Sequence, residues 1–221
     1  MDELVSKFKT SFEKGDAKDL TTQVGDGIVD IFFSDNVITP FPVFGILMSA
    51  YNVTKNFQTY RLAKKIYKLI IGTSELTQQQ KQDFIDEYTE VNKEDGAEVL
   101  LHVLDKLDNV NKVDILSSLL KNRVKGYLTM NDFVRLTESL QRISFVDINN
   151  LEKYKSENYV AGESEQIYSS GLLYVSSISP NSNNKYRLSK LGWQMLKYGL
   201  NKKLNIPSKY PTNNSAYAVL G

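Results

Sequence analysis

The stretch that decides the fold is residues 167–198, IYSSGLLYVSSISPNSNNKYRLSKLGWQMLKY. Gly171 is the residue type that tolerates the left-handed conformation just beyond a helix, so a helix is predicted to end immediately before it. A β-prone segment, 172–178, follows. The turn formers Pro180–Asn184 then predict a chain reversal into a short return strand at 186–188. This order predicts a β-hairpin.

A second helix is predicted directly after the hairpin. Ser189 is a favoured N-cap residue, and apolar side chains recur at helical spacing from Leu191 to Leu196, before Gly199 ends the pattern. Helix, Gly-Leu-Leu, hairpin, YRLSKLG and helix together resemble the end of a winged-helix domain, over roughly the last third of the chain. Because winged helices serve both as DNA readers and as protein-docking modules, this resemblance leaves the function open.

Composition places the chain among globular proteins. Its 221 residues are 41% apolar and 24% charged, enough for one large domain or two small ones. There is no cysteine, so we expect neither disulfides nor thiolate metal sites, and an intracellular compartment is favoured. The acids Asp2 and Glu3 stand where a signal peptide would be basic. We therefore expect a cytoplasmic location, with a peripheral position at the membrane as the alternative.

The overall charge of +1 hides an uneven distribution along the chain. The 56 residues after Glu165 hold seven lysines and arginines and no acid. Basic side chains on a wing and on the following helix suit contacts with phosphates. The candidate nucleic-acid-binding residues are Lys185, Arg187, Lys190 and Lys197. Carboxylates in the segment where a recognition helix would begin oppose this function; they are Glu157, Glu163 and Glu165.

The most apolar part of the chain, residues 27–51, is interrupted by Pro40 and Pro42. Its core, residues 37–51, would span about 22 Å as a helix, short of the ~30 Å thickness of the hydrocarbon layer. An apolar stripe with basic neighbours continues to residue 71, which is typical of a core helix and also of a segment lying on a membrane surface. We favour the core helix. The candidate membrane or partner contacts are Phe41, Phe44, Ile46 and Leu47.

The rest of the chain before the hairpin predicts amphipathic helices joined by short loops. The expected fold class is mainly α, a helical bundle with a C-terminal winged-helix-like β-hairpin. The expected domains are an N-terminal helix or arm at 1–26, a helical bundle with the apolar proline-broken segment at 27–128, a winged-helix-like domain at 129–204, and an extended tail at 205–221.

The middle of the chain looks like a group of uncharacterised small bacterial and phage-borne proteins. The likeness lies in VITPFPVFG at 37–45, KKIYKLI at 64–70, GAEVLL at 96–101 and LDKLD at 104–108. With the winged end added, the plan is similar to the Abi-alpha abortive-infection family, which joins a helical N-terminal part to a winged-helix C-terminus. The resemblance implies a role in phage–host conflict, as defence, exclusion or anti-defence, and it implies no functional residue.

Sequence motifs for catalysis are absent. His102 is the single histidine and lies among apolar neighbours, so a histidine metal cluster cannot form. No glycine-rich nucleotide-binding loop occurs, and carboxylates at helical spacing are explained as solvated helix faces. We expect no enzyme, no cofactor and no metal.

Three functions from different classes remain. We favour a non-enzymatic interaction protein that binds a protein partner in phage–host conflict. The first alternative is a winged-helix DNA-binding regulator that uses the basic end. The second is a membrane-associated effector that uses residues 37–71. A homo-oligomer is compatible with each.

Overall fold

The chain is described by a computed structural model. The described residues are 2–14, 43, 46–47, 49–50, 57–178 and 183–207. They confirm the expected fold class: the protein is mainly helical, a bundle with a small two-stranded antiparallel hairpin near the C-terminus. Two compact units make up the chain, Met1–Met130 and Asn131–Gly221. The expected boundary after residue 26 and most of segment 37–51 lie outside the described residues.

The first unit is a bundle of helices around a central one. Its described helices are α1 (Asp2–Lys14), α2 (Phe57–Gly72), α3 (Gln78–Asn92), α4 (Gly96–Lys106) and α5 (Lys112–Val124). Helix α4 packs against α1, α2 and α3, while α2 also packs against α5. The dense apolar pattern of α4 predicts this central place, and its side chains from Leu100 to Leu104 are buried except at His102.

Local capping sets the helix boundaries of this unit. Thr77 forms a capping box with Gln80: the Thr77 side chain accepts from the Gln80 N–H, and the Gln80 side chain accepts from the Thr77 N–H. Asp95 caps α4 by accepting hydrogen bonds from two backbone N–H groups, those of Ala97 and Glu98. These bonds are local, so their residue types can be recognised in the sequence.

The second unit carries the hairpin between short helices. Its elements are α6 (Met130–Arg142), α7 (Phe145–Asn149), a 3₁₀ turn (Leu151–Lys155), α8 (Glu163–Ser169), β1 (Leu173–Ser177), β2 (Lys185–Leu188), α9 (Lys190–Gln194) and a π-helical turn (Met195–Gly199). Helix α8 packs against α7 and β1, and β2 packs against the 3₁₀ turn.

The two faces of the hairpin differ in burial: one carries buried side chains and the other carries exposed ones. Leu173 lies opposite Leu188, and Val175 lies opposite Tyr186. Tyr186 and Leu188 are buried whereas their neighbours Lys185 and Arg187 are exposed, as the period of a strand requires. An isolated antiparallel bridge also joins Tyr186 to Asn158, which ties β2 to the segment before α8.

The last helix begins in direct contact with the backbone that leads into β1. Ser189 caps α9 by accepting from the Gly192 N–H at 3.1 Å, and its hydroxyl donates to the Gly171 carbonyl at 2.8 Å. The Ser189 N–H donates to the Leu172 carbonyl at 3.0 Å. A Cβ added to Gly192 would lie 2.2 Å from that carbonyl oxygen. Only glycine permits this approach.

We expect Gly192→Ala to lower the free energy of unfolding by about 3 kcal/mol, because the added methyl group meets backbone that cannot move aside cheaply. Gly162→Ala is the matched control in the same unit. Gly162 has φ +76° and open space around it, so only the backbone cost of about 1 kcal/mol is expected there. Urea unfolding followed by circular dichroism measures both; an equal loss in the two variants would contradict the close approach.

Candidate functional site

The four candidate nucleic-acid residues each occupy a different setting. Lys190 Nζ lies 2.9 and 3.1 Å from the two carboxylate oxygens of Asp132. Arg187 Nε lies 4.0 Å from a carboxylate oxygen of Glu157. Lys197 Nζ lies 5.4 Å from the centre of the Tyr198 ring. Lys185 is exposed on the same face of the hairpin as Arg187.

Asp132 holds the strongest of these contacts. It also accepts a hydrogen bond from Gln194 Nε2 at 2.9 Å, so α9 offers two donors to one carboxylate. The Asp132 side chain is only 14% exposed, which reduces screening of its charge by solvent. Sequence spacing assigns Asp132 to the capping box of its own helix, and the contacts with α9 could not be recognised from spacing. A further cation outside the hairpin, Lys202, lies 3.5 Å from Glu152.

Helix α8 lies directly before the hairpin in the chain, where the resemblance to winged helices would place a recognition helix. Its first turn is acidic, with Glu163 and Glu165. Glu163 accepts hydrogen bonds from Asn150 at 2.8 Å, from the Tyr154 hydroxyl at 2.9 Å and from Lys153 at 3.4 Å. These contacts hold the start of α8 against the turn before it.

Tyr154 is a positioning residue that sequence analysis did not single out. Its buried hydroxyl contacts Glu163 and, at 2.8 Å, the Ser164 hydroxyl, which in turn accepts from the Val160 N–H at 2.8 Å. Burial, with the neighbouring Glu163 carboxylate, raises the pKa of Tyr154 to about 12. Its neighbours in the sequence, Lys153 and Lys155, are charged, so neither its burial nor its hydrogen-bond partners are indicated by the local pattern.

Three further tyrosines form what we call the tyrosine row: Tyr159, Tyr186 and Tyr168. The Tyr186 ring centre lies 6.5 Å from that of Tyr159, with 22° between the planes, and 5.5 Å from that of Tyr168, with 53° between the planes. Tyr186 is buried, Tyr159 is partly exposed and Tyr168 is 47% exposed. Sequence analysis missed this row, because its members come from three different elements.

Glu165 lies beside the tyrosine row. Burial, a hydrogen bond with the Glu165 carboxylate and its negative charge raise the pKa of Tyr159. Burial and the same carboxylate also raise the pKa of Tyr186. Tyr186 points to the hairpin face opposite Lys185 and Arg187, so the row and these cations lie on different faces.

Comparison with known proteins finds no matching family model, no matching curated protein and no matching solved structure.

The candidate membrane or partner contacts are only partly described. Phe41 and Phe44 lie outside the described residues. Leu47 is buried at 3% exposure and Ile46 is half-buried. Within the described part of the chain, none of the helices has the length and apolar character needed to cross a membrane.

The basic side chains of α2 contact the region where α4 ends and α5 begins. Lys65 is buried and donates to the Asp105 carbonyl at 2.8 Å, and Arg61 donates to the Asp108 carbonyl. Carbonyls at a helix C-terminus favour cations. Lys68 lies 2.7 Å from the Asp114 carboxylate. These positive charges therefore serve contacts within the bundle.

In the described ranges, no three histidine, aspartate or glutamate side chains come together as a metal site would require.

A surface cavity between α3 and α5 has a volume of about 220 Å³, and Arg123 on its wall donates to both oxygens of Glu87. His102 is exposed.

We expect Tyr154→Phe to lower the free energy of unfolding by about 1 kcal/mol at pH 7, because the hydroxyl's hydrogen bonds are lost. The pKa of Tyr154 is higher in the folded protein, so its stabilising proton is fully bound below pH 10 and is lost as the pH rises towards 12. The difference between wild type and variant should shrink over that range in urea unfolding. Tyr174→Phe, at a partly exposed tyrosine of β1, is the control for loss of a tyrosine hydroxyl and should lower the free energy of unfolding less.

Proposed function

We propose that this protein is a non-enzymatic interaction protein whose winged-helix-like unit binds a protein partner. The single observation that carries the proposal is the disposition of charge in that unit. Arg187 and Lys190 are paired with carboxylates of the same chain, and the helix in the recognition position begins with Glu163 and Glu165.

Nucleic-acid binding depends on lysine and arginine side chains that can neutralise phosphates and so release the counterions condensed on them. Lys190 pairs with the Asp132 carboxylate, which is mostly shielded from water. If Lys190 moved to a phosphate, the Asp132 charge would lose this ion pair, which costs free energy. Arg187 has a weaker pair at 4.0 Å, and Lys185 is exposed. The acidic first turn of α8 would face the phosphates that a recognition helix approaches. Charge therefore favours a protein partner over DNA.

Aromatic side chains support the same conclusion. Tyrosine is enriched at protein interfaces because its ring is apolar and its hydroxyl can stay hydrated. Tyr168 is 47% exposed, and Val160, next to Tyr159 in the chain, is 37% exposed. The surface around the tyrosine row thus joins apolar area to polar groups, which is typical of a docking surface.

The biological setting is proposed from the resemblance to the Abi-alpha family. In that setting the protein acts in phage–host conflict, and its partner is a protein of the phage or of the host. A cytoplasmic location fits this role. A second copy of the chain is one form that the partner can take.

We expect the tagged protein to retain a protein partner from a bacterial lysate after nuclease treatment and at raised salt. Lys185→Gln/Arg187→Gln/Lys190→Gln should retain the same partner, because the proposed surface lies on the other face of the hairpin. A labelled DNA duplex should bind only in the non-specific range, about 10⁻⁵ M at physiological salt.

The DNA regulator predicts the opposite pattern. Recovery of nucleic acid that disappears at raised salt, together with tight duplex binding that the triple variant loses, would replace the interaction protein with that alternative. Thermal unfolding of the triple variant is the control for its folding, because two of the three residues make ion pairs.

A further inference from the structure

We propose that the tyrosine row and Glu165 form a docking site for an arginine side chain presented by the protein partner. This inference rests on the proposed function and names the chemistry that the partner must carry. Two observations support it: the arrangement of three tyrosine rings, and the position of one exposed carboxylate beside them.

The rings offer a cation-binding surface. Tyr159 and Tyr168 each lie next to Tyr186, at centre-to-centre distances of 6.5 and 5.5 Å, so the three rings form one aromatic cluster. A cation within about 6 Å of such a ring face is attracted by the ring quadrupole. The exposed part of Tyr168 and the partly exposed Tyr159 are the points from which a ligand can approach.

Glu165 supplies the negative charge. It is exposed, and its carboxylate accepts a hydrogen bond from the Tyr159 hydroxyl, while its negative charge raises the pKa of Tyr186. The other two carboxylates nearby in the chain, Glu157 and Glu163, are paired with Arg187 and Lys153. Within the described part of the chain, no lysine or arginine lies in ion-pair distance of Glu165. Its charge is therefore available to a ligand.

Arginine fits this combination best. Its planar guanidinium can stack on a tyrosine ring and at the same time donate two parallel hydrogen bonds to a carboxylate. A single-stranded nucleic acid also stacks on aromatic rings, but each nucleotide brings a phosphate that Glu165 would repel. The hairpin cations that could offset this repulsion lie on the opposite face.

The test uses a fluorescein-labelled peptide of five arginines separated by glycines, with fluorescence anisotropy at low salt as the measurement. A peptide with citrulline in place of each arginine is the matched probe, because citrulline keeps the shape and removes the charge. We expect the arginine peptide to bind the full chain at least about 10-fold more tightly than the citrulline peptide, given the cation–π and ion-pair contributions.

Variants at the site should weaken the arginine peptide. Tyr168→Ala and Glu165→Gln are each expected to reduce its affinity roughly 3- to 10-fold, whereas Tyr168→Phe keeps the ring and should bind as wild type does. Tyr127→Ala and Glu90→Gln are the matched controls, since both residues are exposed and lie outside the row, in the first unit. Thermal unfolding confirms that each variant is folded.

Three results would overturn the docking site. The first is equal binding of the two peptides. The second is equal affinity of the arginine peptide for Tyr168→Ala and Tyr127→Ala. The third is displacement of the arginine peptide by a single-stranded DNA oligonucleotide that binds the tyrosine row more tightly. The partner captured from the lysate distinguishes failure of the docking site from failure of the proposed function. If Tyr168→Ala and Glu165→Gln still retain that partner, the row is not its docking site, although the interaction protein stands.

Discussion

The contact between the start of the last helix and the backbone at Leu172 is the constraint on which the second unit depends. Ser189 binds the Gly171 and Leu172 carbonyls, and Gly192 leaves room for the second of them. Because β2 ends at Leu188, this contact also fixes where the return strand stops. It places Lys190 and Gln194 within reach of Asp132. One close backbone approach thus fixes the start of α9 and, with it, the pairing of Lys190 with Asp132.

Charge pairing is what separates two functions that share one architecture. A hairpin behind a short helix can read DNA or dock onto a protein. The two functions differ in whether the cations of the hairpin are paired with carboxylates of the same chain. In this unit Lys190 pairs with Asp132, and Arg187 pairs with Glu157. The tyrosines meanwhile collect on the other face, where Tyr186 joins rings from two other segments. The division into a charged face and an aromatic face follows directly from the two-residue period of β2.

The bundle shows the same relation between pattern and context. A basic amphipathic helix such as α2 is compatible with a membrane surface and with a protein core. In the bundle, Lys65 and Arg61 bind carbonyls around the end of α4, and Lys68 pairs with Asp114. Cations near a helix C-terminus are stabilised by its dipole, so the basic neighbours of the apolar stripe are partly structural. Their number and spacing are visible in the sequence, whereas their partners are not.

The sequence by itself determined the elements: the glycine that ends α8, the two strands of the hairpin and the Ser189 cap. These depend on bonds within about four residues, which spacing and residue type encode. Only the tertiary structure decided the site, because Asp132 meets Lys190 across 58 residues and the tyrosine row joins three segments. Such contacts are set by how the elements pack, and the hydrophobic pattern that drives packing does not state which polar side chains it will bring together.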